Sequence, residues 1–249
     1  MKLQFHDASI MFGEPLKPAP FNTATPDAAR AMLDHFGIAK ALVRLTEQEG
    51  LSETGNSAAA SFAAGQSRLR ALWYYLPHTT GEFPKPAELA GAMKRSNIAG
   101  IYIDPSKTYS IRKTFIGDTL SACEDNRIPV FIPCPNYPAY EKADELLSDF
   151  PQLTFIACNG NSWGLERYTW PLFERYERFN LCLGQNRVSG SIQETAKRFG
   201  ASRLLFGSNY PAVTPGGACE LIRRLDIDDA SKEQIAHGTL DRILSEVRL

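Results

Sequence analysis

The chain has 249 residues, 43% of them hydrophobic and 22% charged, with a formal charge of −1. Such usage is that of an ordinary globular chain and excludes a largely disordered or collagen-like one. A near-neutral balance also argues against nucleic acid as a partner, since its binders carry a basic stripe. Barrels of about 250 residues are usually one domain, so a single domain over 1–249 is expected. The opening MKLQFHDASIMFG lacks the apolar core and cleavage site of a secretory signal, and no apolar run nears the roughly 20 residues that span a bilayer. The five cysteines, Cys123, Cys134, Cys158, Cys182 and Cys219, are scattered without a C-x-x-C pair. That usage suits a reducing cytoplasm, and no membrane association is expected.

Taken in order, short apolar runs alternate with amphipathic stretches. LQFHDAS from Leu3 is the first strand candidate. Thr25-Pro26-Asp27 then predicts a helix start: a cap, a proline in the first turn and an acid at the positive end of the dipole. Met32, Leu33 and Phe36 share a face of that helix, and Gly37 can end it. ALVRLT from Ala41, RALWYYL from Arg70, IAGIYID from Ile98 and IPVFIPC from Ile128 follow as strands. Glu141 to Phe150 places Leu146, Leu147 and Phe150 at helical spacing. LTFIACN from Leu153, NLCLGQ from Asn180 and RLLFGSN from Arg203 complete eight strands. A last helix is predicted from Ser231, with Gln234 placed for a capping box and Leu240, Ile243, Leu244 and Val247 as its apolar stripe. Near-continuous apolar strands suit a parallel sheet covered on both faces. Eight strands alternating with helices predict an α/β fold, a (β/α)8 TIM barrel, with a doubly wound open sheet as the alternative.

In such a barrel the chemistry sits at the carboxyl ends of the strands. These ends offer Asp7, Ser9 and Met11, then Arg44 and Glu47, Tyr75 and His78, Tyr102 and Asp104, and Pro133, Cys134 and Asn136. The later strands add Asn159, Asn161, Gln185, Arg187, Asn209 and Tyr210. The ring is rich in amides and poor in histidine.

FHDASIMFG, FPQLTFIACNG and RLLFGSNYP resemble the first, sixth and eighth strand motifs of the amidohydrolase superfamily, in its amidohydrolase-related branch of metal-dependent hydrolases and decarboxylases. The resemblance implies a (β/α)8 barrel whose members bind one or two divalent metals and hydrolyse or decarboxylate small substrates. It also implies ligand positions, and here these hold other residues. Ser9 and Met11 stand at the H-x-H pair, Pro133 at the fifth-strand histidine, Asn159 at the sixth-strand histidine and Asn209 at the eighth-strand aspartate. Zinc is held by thiolate, imidazole and carboxylate. This set supplies none of them, so no metal and no other cofactor is expected there.

Strict alternation puts Asp7, Ser9 and Met11 on one face of the first strand, with Asp7 beneath the other two, and turns His6 toward the helices. Arg44, a charge in an apolar strand, needs an anion: a substrate carboxylate or phosphate, Glu47 or Asp104. Glu47 and Asp104 could also form a glycosidase-like pair. Ser9 lacks a nucleophile elbow. Cys134 is a nucleophile or a buried structural thiol, and Gly216-Gly217 an anion cradle or an ordinary cap. Three readings follow. The first is a metal-independent hydrolase of a small carbonyl compound such as a lactone or ester, with Asp7, Ser9, Asn159 and Asn209 as catalytic candidates. Arg44, Glu47, His78, Tyr102, Asp104, Asn136 and Tyr210 would bind its substrate. The second is a non-catalytic descendant that binds a small molecule. The third is a metal-dependent hydrolase or decarboxylase with ligands elsewhere in the chain. Homo-oligomerisation is left open.

Overall fold

The computed structural model describes residues 3–13, 19, 21, 23–46, 51–106, 110–158, 160, 164–184 and 188–249. Eight strands run parallel in sequence order: β1 (Phe5–Phe12), β2 (Ile38–Leu45), β3 (Leu69–Tyr74), β4 (Ile98–Tyr102), β5 (Val130–Pro133), β6 (Phe155–Cys158), β7 (Phe179–Cys182) and β8 (Leu204–Leu205). Between and after them lie α1 (Pro26–Phe36), α2 (Glu53–Ala63), α3 (Leu89–Arg95), α4 (Lys113–Asp125), α5 (Tyr137–Asp149), α6 (Glu166–Arg175), α7 (Ser189–Phe199), α8 (Pro215–Arg223), α9 (Asp229–Glu233) and α10 (Thr239–Ser245). This is the (β/α)8 arrangement that the alternating pattern predicts.

Local chemistry accounts for the helix ends. Thr25 accepts the Ala28 N–H at the start of α1, and Gly37, at φ 69°, closes it in the left-handed region that glycine enters without penalty. Helix α5 begins earlier than its apolar spacing suggests, because Asn136 caps it and Pro138 follows in the first turn. The terminal helix also differs from expectation. Its cap is Asp228, which accepts from Ser231 N–H and Oγ, and Gln234 begins a π-helical turn, Gln234–Gly238, between α9 and α10.

Two apolar layers follow from strand alternation. Leu42, Leu72, Tyr74, Tyr102, Phe131, Ile156, Cys158, Cys182 and Leu205 pack inside the barrel, where Leu240 and Ile243 of α10 join them. The opposite faces of the strands pack against the helices.

The barrel closes between β8 and β1. Ala8 N–H donates to Phe206 O at 3.1 Å and Met11 N–H to Tyr210 O at 2.9 Å. A β-bulge interrupts β1 at this seam: Asp7 pairs with Ala41, but Ile10, three residues on, pairs with Val43, only two residues on. Strict alternation therefore fails here. Met11 keeps the interior side, paired with Arg44, whereas Asp7 pairs with Ala41 of the outer layer. His6 meets the terminal helix: its Nδ1 lies 2.8 Å from Asp241 Oδ1 of α10.

Close packing at the seam leaves no room at Gly207, where a methyl would lie 2.4 Å from Cys182 Sγ. Gly207→Ala is expected to cost about 1–3 kcal/mol by overpacking. Adding Cys182→Ala should make the double variant less destabilised than the sum of the singles, as read from urea unfolding.

Candidate active site

The carboxyl ends of β4 and β5 and the first turns of α5 enclose a cleft of about 440 Å³. Tyr102, Asp104, Ser106, Pro133, Asn136 and Lys142 are among its walls. Asp104 is buried, and its Oδ1 accepts from Ser106 N–H at 2.9 Å and Ser106 Oγ at 2.6 Å. This is an Asx turn, built by the Asp-Pro-Ser order, and it fixes the carboxylate at the strand end. Lys142 is exposed on α5 and brings the cleft a cation. Asn136 spends its Oδ1 on the Ala139 N–H, so it borders the cleft as the helix cap.

Beneath the cleft, Arg44 is 1% exposed, with Cζ 4.3 Å from the centroid of the Tyr102 ring. A guanidinium over a desolvated ring face is a favourable cation–π contact. Burial holds the Tyr102 phenol well above the ordinary tyrosine value, so the ring stays neutral despite the opposing pull of Arg44. Cys134, read as nucleophile or structural thiol, is sealed; burial pushes its pKa far up, and its Sγ donates to Ile132 O. Gly216 and Gly217 lie in the first turn of α8 behind Thr214 as its cap.

Other predicted site residues have different surroundings. Asp7 is fully buried, and its Oδ1 accepts the N–H groups of Ser9 and Ser208, each at 2.9 Å. It thereby spans the β1–β8 seam instead of lying beneath Ser9 and Met11. Burial raises its pKa above the ordinary carboxylate value, against the two N–H donors and the charge of Arg44. The Tyr210 hydroxyl, expected to bind substrate, accepts the Phe21 N–H at 2.9 Å and donates to Phe21 O. Asn209 is buried at φ 55°, its Oδ1 without a hydrogen-bond partner among the described residues. Ser9 is buried in the bulged strand. His78 is half-buried in a 3₁₀ turn, His78–Thr80, and is not among the described residues lining the cleft. Glu47, Asn159, Asn161, Gln185 and Arg187 lie outside the described residues.

Lys142 and Ser106 were not singled out from sequence. The Asp-Pro-Ser turn was a usable signal for Ser106; Lys142, a surface lysine on an amphipathic helix, carried none. At the ligand positions that the motifs imply, Ser9, Met11, Pro133 and Asn209 carry no imidazole, thiolate or carboxylate, and these side chains do not fit a zinc ion.

No protein-family model matches the chain. The transcription antitermination protein NusB of Campylobacter lari is 35% identical over 74 residues, 29% of this chain and 54% of that protein. The chain thus spans about half the length of this curated relative, and no stretch of that size holds all eight strands. Solved structures match over almost the whole chain. An uncharacterised TIM-barrel protein from Bordetella bronchiseptica is 19% identical, with 98% of this chain and 99% of that one covered and a TM-score of 0.71. The 2,6-dihydroxybenzoate decarboxylase in complex with 2,6-dihydroxybenzoate is 13% identical over 98% and 99% of the two chains, with a TM-score of 0.75. A probable 2-pyrone-4,6-dicarboxylic acid hydrolase from Acinetobacter baumannii, with citric acid bound, is 13% identical over 97% and 99%, with a TM-score of 0.71. The chain shares its barrel fold with these proteins and with a putative amidohydrolase from Staphylococcus aureus, 13% identical over 98% and 100% of the two chains, with a TM-score of 0.71. At these identities the likeness is one of fold. No described helix is long and apolar enough to cross a membrane.

Asp7 yields a signed prediction. Between the ordinary carboxylate pKa and the raised native one, the native state keeps a proton that the unfolded state has lost, so this group's contribution to stability falls as pH rises. Asp7→Asn is neutral at every pH and keeps an acceptor for both N–H groups. Its stability relative to wild type should therefore increase from acid toward neutral pH in urea titrations; a constant difference would contradict the assignment. Asp7→Ala should lose about 1–3 kcal/mol for each N–H it orphans.

Proposed function

We propose that this amidohydrolase-fold chain binds a small carboxylated carbonyl compound in the cleft over β4 and β5 and hydrolyses an activated ester, such as a lactone, without a metal. The observation that carries the reading is one concave site at the strand ends with a fixed carboxylate, Asp104, and a cation, Lys142, on its walls. Ile111, Ile132 and Pro133 give the cleft apolar walls that suit an organic body. Two structural neighbours support the substrate class by the molecules bound to them, 2,6-dihydroxybenzoate and citric acid.

In this reading Lys142 pairs with the substrate carboxylate and Arg44 supplies positive potential from below. Asp104 takes a proton from water as the water oxygen attacks the carbonyl carbon. The ring C–O bond then breaks, and the leaving alkoxide recovers the proton from Asp104. Ester and water become a hydroxy acid, with Asp104 regenerated. Asp7, the base expected from sequence, is given no part in this step, since its accepting oxygen serves the seam. Ser9 and Asn209 do not line the cleft and are likewise given no part in this step. The same commitment of Asp7 favours a second reading, small-molecule binding without turnover.

A panel of lactones and carboxylated esters tests both. Asp104→Asn should lower kcat by about 10²-fold or more. Lys142→Gln should raise KM about tenfold by removing a charged hydrogen-bond partner. Chelator should leave the rate unchanged. Turnover that survives Asp104→Asn would remove the base. Thermal stabilisation by citrate with no turnover of any panel member would leave the binding reading.

A further inference from the structure

The end of the barrel opposite the cleft holds a different cluster. His6 lies near the start of β1, His237 in the π-helical turn and Asp241 one turn later in α10. His6 Nδ1 is 2.8 Å from Asp241 Oδ1, and His237 Nδ1 is 3.3 Å from Asp241 Oδ2. The two imidazole rings tilt toward each other with centroids 5.3 Å apart. One donor atom from each of the three residues lies within 4.8 Å of the others, and no other group of three or more His, Cys, Asp or Glu among the described residues meets that test.

Hydrogen bonds explain only part of the arrangement. A carboxylate accepting from both Nδ1 atoms accounts for the short distances, but it leaves His6 Nε2 buried without a hydrogen-bond partner. The His6 side chain is 5% exposed. A metal held through the two Nδ1 atoms would take the place of the protons they now share with the Asp241 carboxylate. His237 and Asp241 remain 31% and 43% exposed, which leaves a path for an ion and a solvent-side coordination position. The nearby Arg68 does not compete for the carboxylate, because its guanidinium is engaged by Asp34 and by the Ile38 and Ala39 carbonyls.

We propose that His6, His237 and Asp241 form a divalent transition-metal site of zinc type at the amino-terminal end of the barrel. Two imidazoles and a carboxylate make a borderline donor set, suited to Zn²⁺ and to Co²⁺ as its probe, and unsuited to Mg²⁺ or Ca²⁺. The site ties the first strand to the last helix across a sequence separation of 235 residues. A metal placed there acts as a staple and stands apart from the chemistry at the mouth.

The test uses the full chain stripped of metal and titrated with Zn²⁺ and Co²⁺. One equivalent of Co²⁺ should bind with visible absorption of a four- or five-coordinate complex, and Zn²⁺ should displace it and raise the unfolding midpoint. His237→Gln and Asp241→Asn, at partly exposed positions that can be changed without opening the core, should weaken Co²⁺ binding about 100-fold or more. A stripped chain that binds no stoichiometric Co²⁺ or Zn²⁺ would overturn the site. So would wild-type affinity in both variants.

Discussion

Everything at the mouth depends on how the barrel is shut. The seam between β8 and β1 is its thinnest ladder, since β8 has only two residues in strand geometry. A bulge in β1 costs that ladder further regular pairing. The Asp7 carboxylate repairs the break by accepting one N–H from each side, Ser9 on β1 and Ser208 after β8. Buried N–H groups at an irregular seam must find acceptors, and a short acidic side chain at the bulge is well suited to supply one. Burial in turn opposes its ionisation. A group so placed is bound to the architecture, and the chemistry we propose is given to a carboxylate that borders the cleft.

That carboxylate is Asp104. Asp7 and Asp104 are both buried acids near strand ends, and both accept N–H bonds from a serine two residues on. The difference is in what surrounds each. Asp7 faces packed chain at a closed seam, whereas Asp104 borders a cavity whose opposite wall carries Lys142. Two similar carboxylates are thus assigned different work by their surroundings alone. Arg44 adds to the contrast: packed on Tyr102, it biases the field of the whole interior toward anions without forming a wall of the cleft.

The sequence was most legible where one physical rule acts over many residues. Eight apolar runs at regular spacing became eight parallel strands, and Thr25, Pro26 and Gly37 bounded their helix as cap chemistry requires. It was least legible where a single residue shifts the register. The bulge near Ala8 and Ser9 moved Asp7 out of the interior row. The π-helical turn had the same effect on the terminal helix, where Gln234 was read as part of a cap and instead donates to Thr239. Asn136 and Tyr210 were correctly placed near strand ends, but the Asn136 Oδ1 and the Tyr210 hydroxyl are engaged by the Ala139 and Phe21 backbones. Which polar group at a strand end is free for a ligand is decided by local backbone demand, and that demand is visible only in three dimensions.

The two ends of the barrel can therefore carry separable duties. In barrels of this class the carboxyl end hosts reaction and the amino end contributes stability. Here the carboxyl end has an acid and a lysine around an organic-sized cavity, and the amino end has imidazoles gathered on one carboxylate. An ion held only by the native chain would stabilise folding by mass action from a cluster that shares no residue with the cleft. Metal dependence of the fold and metal dependence of turnover then become distinct measurements. A chain can fail the second at its mouth and still satisfy the first at its base, because the donor chemistry of each end is set by different residues.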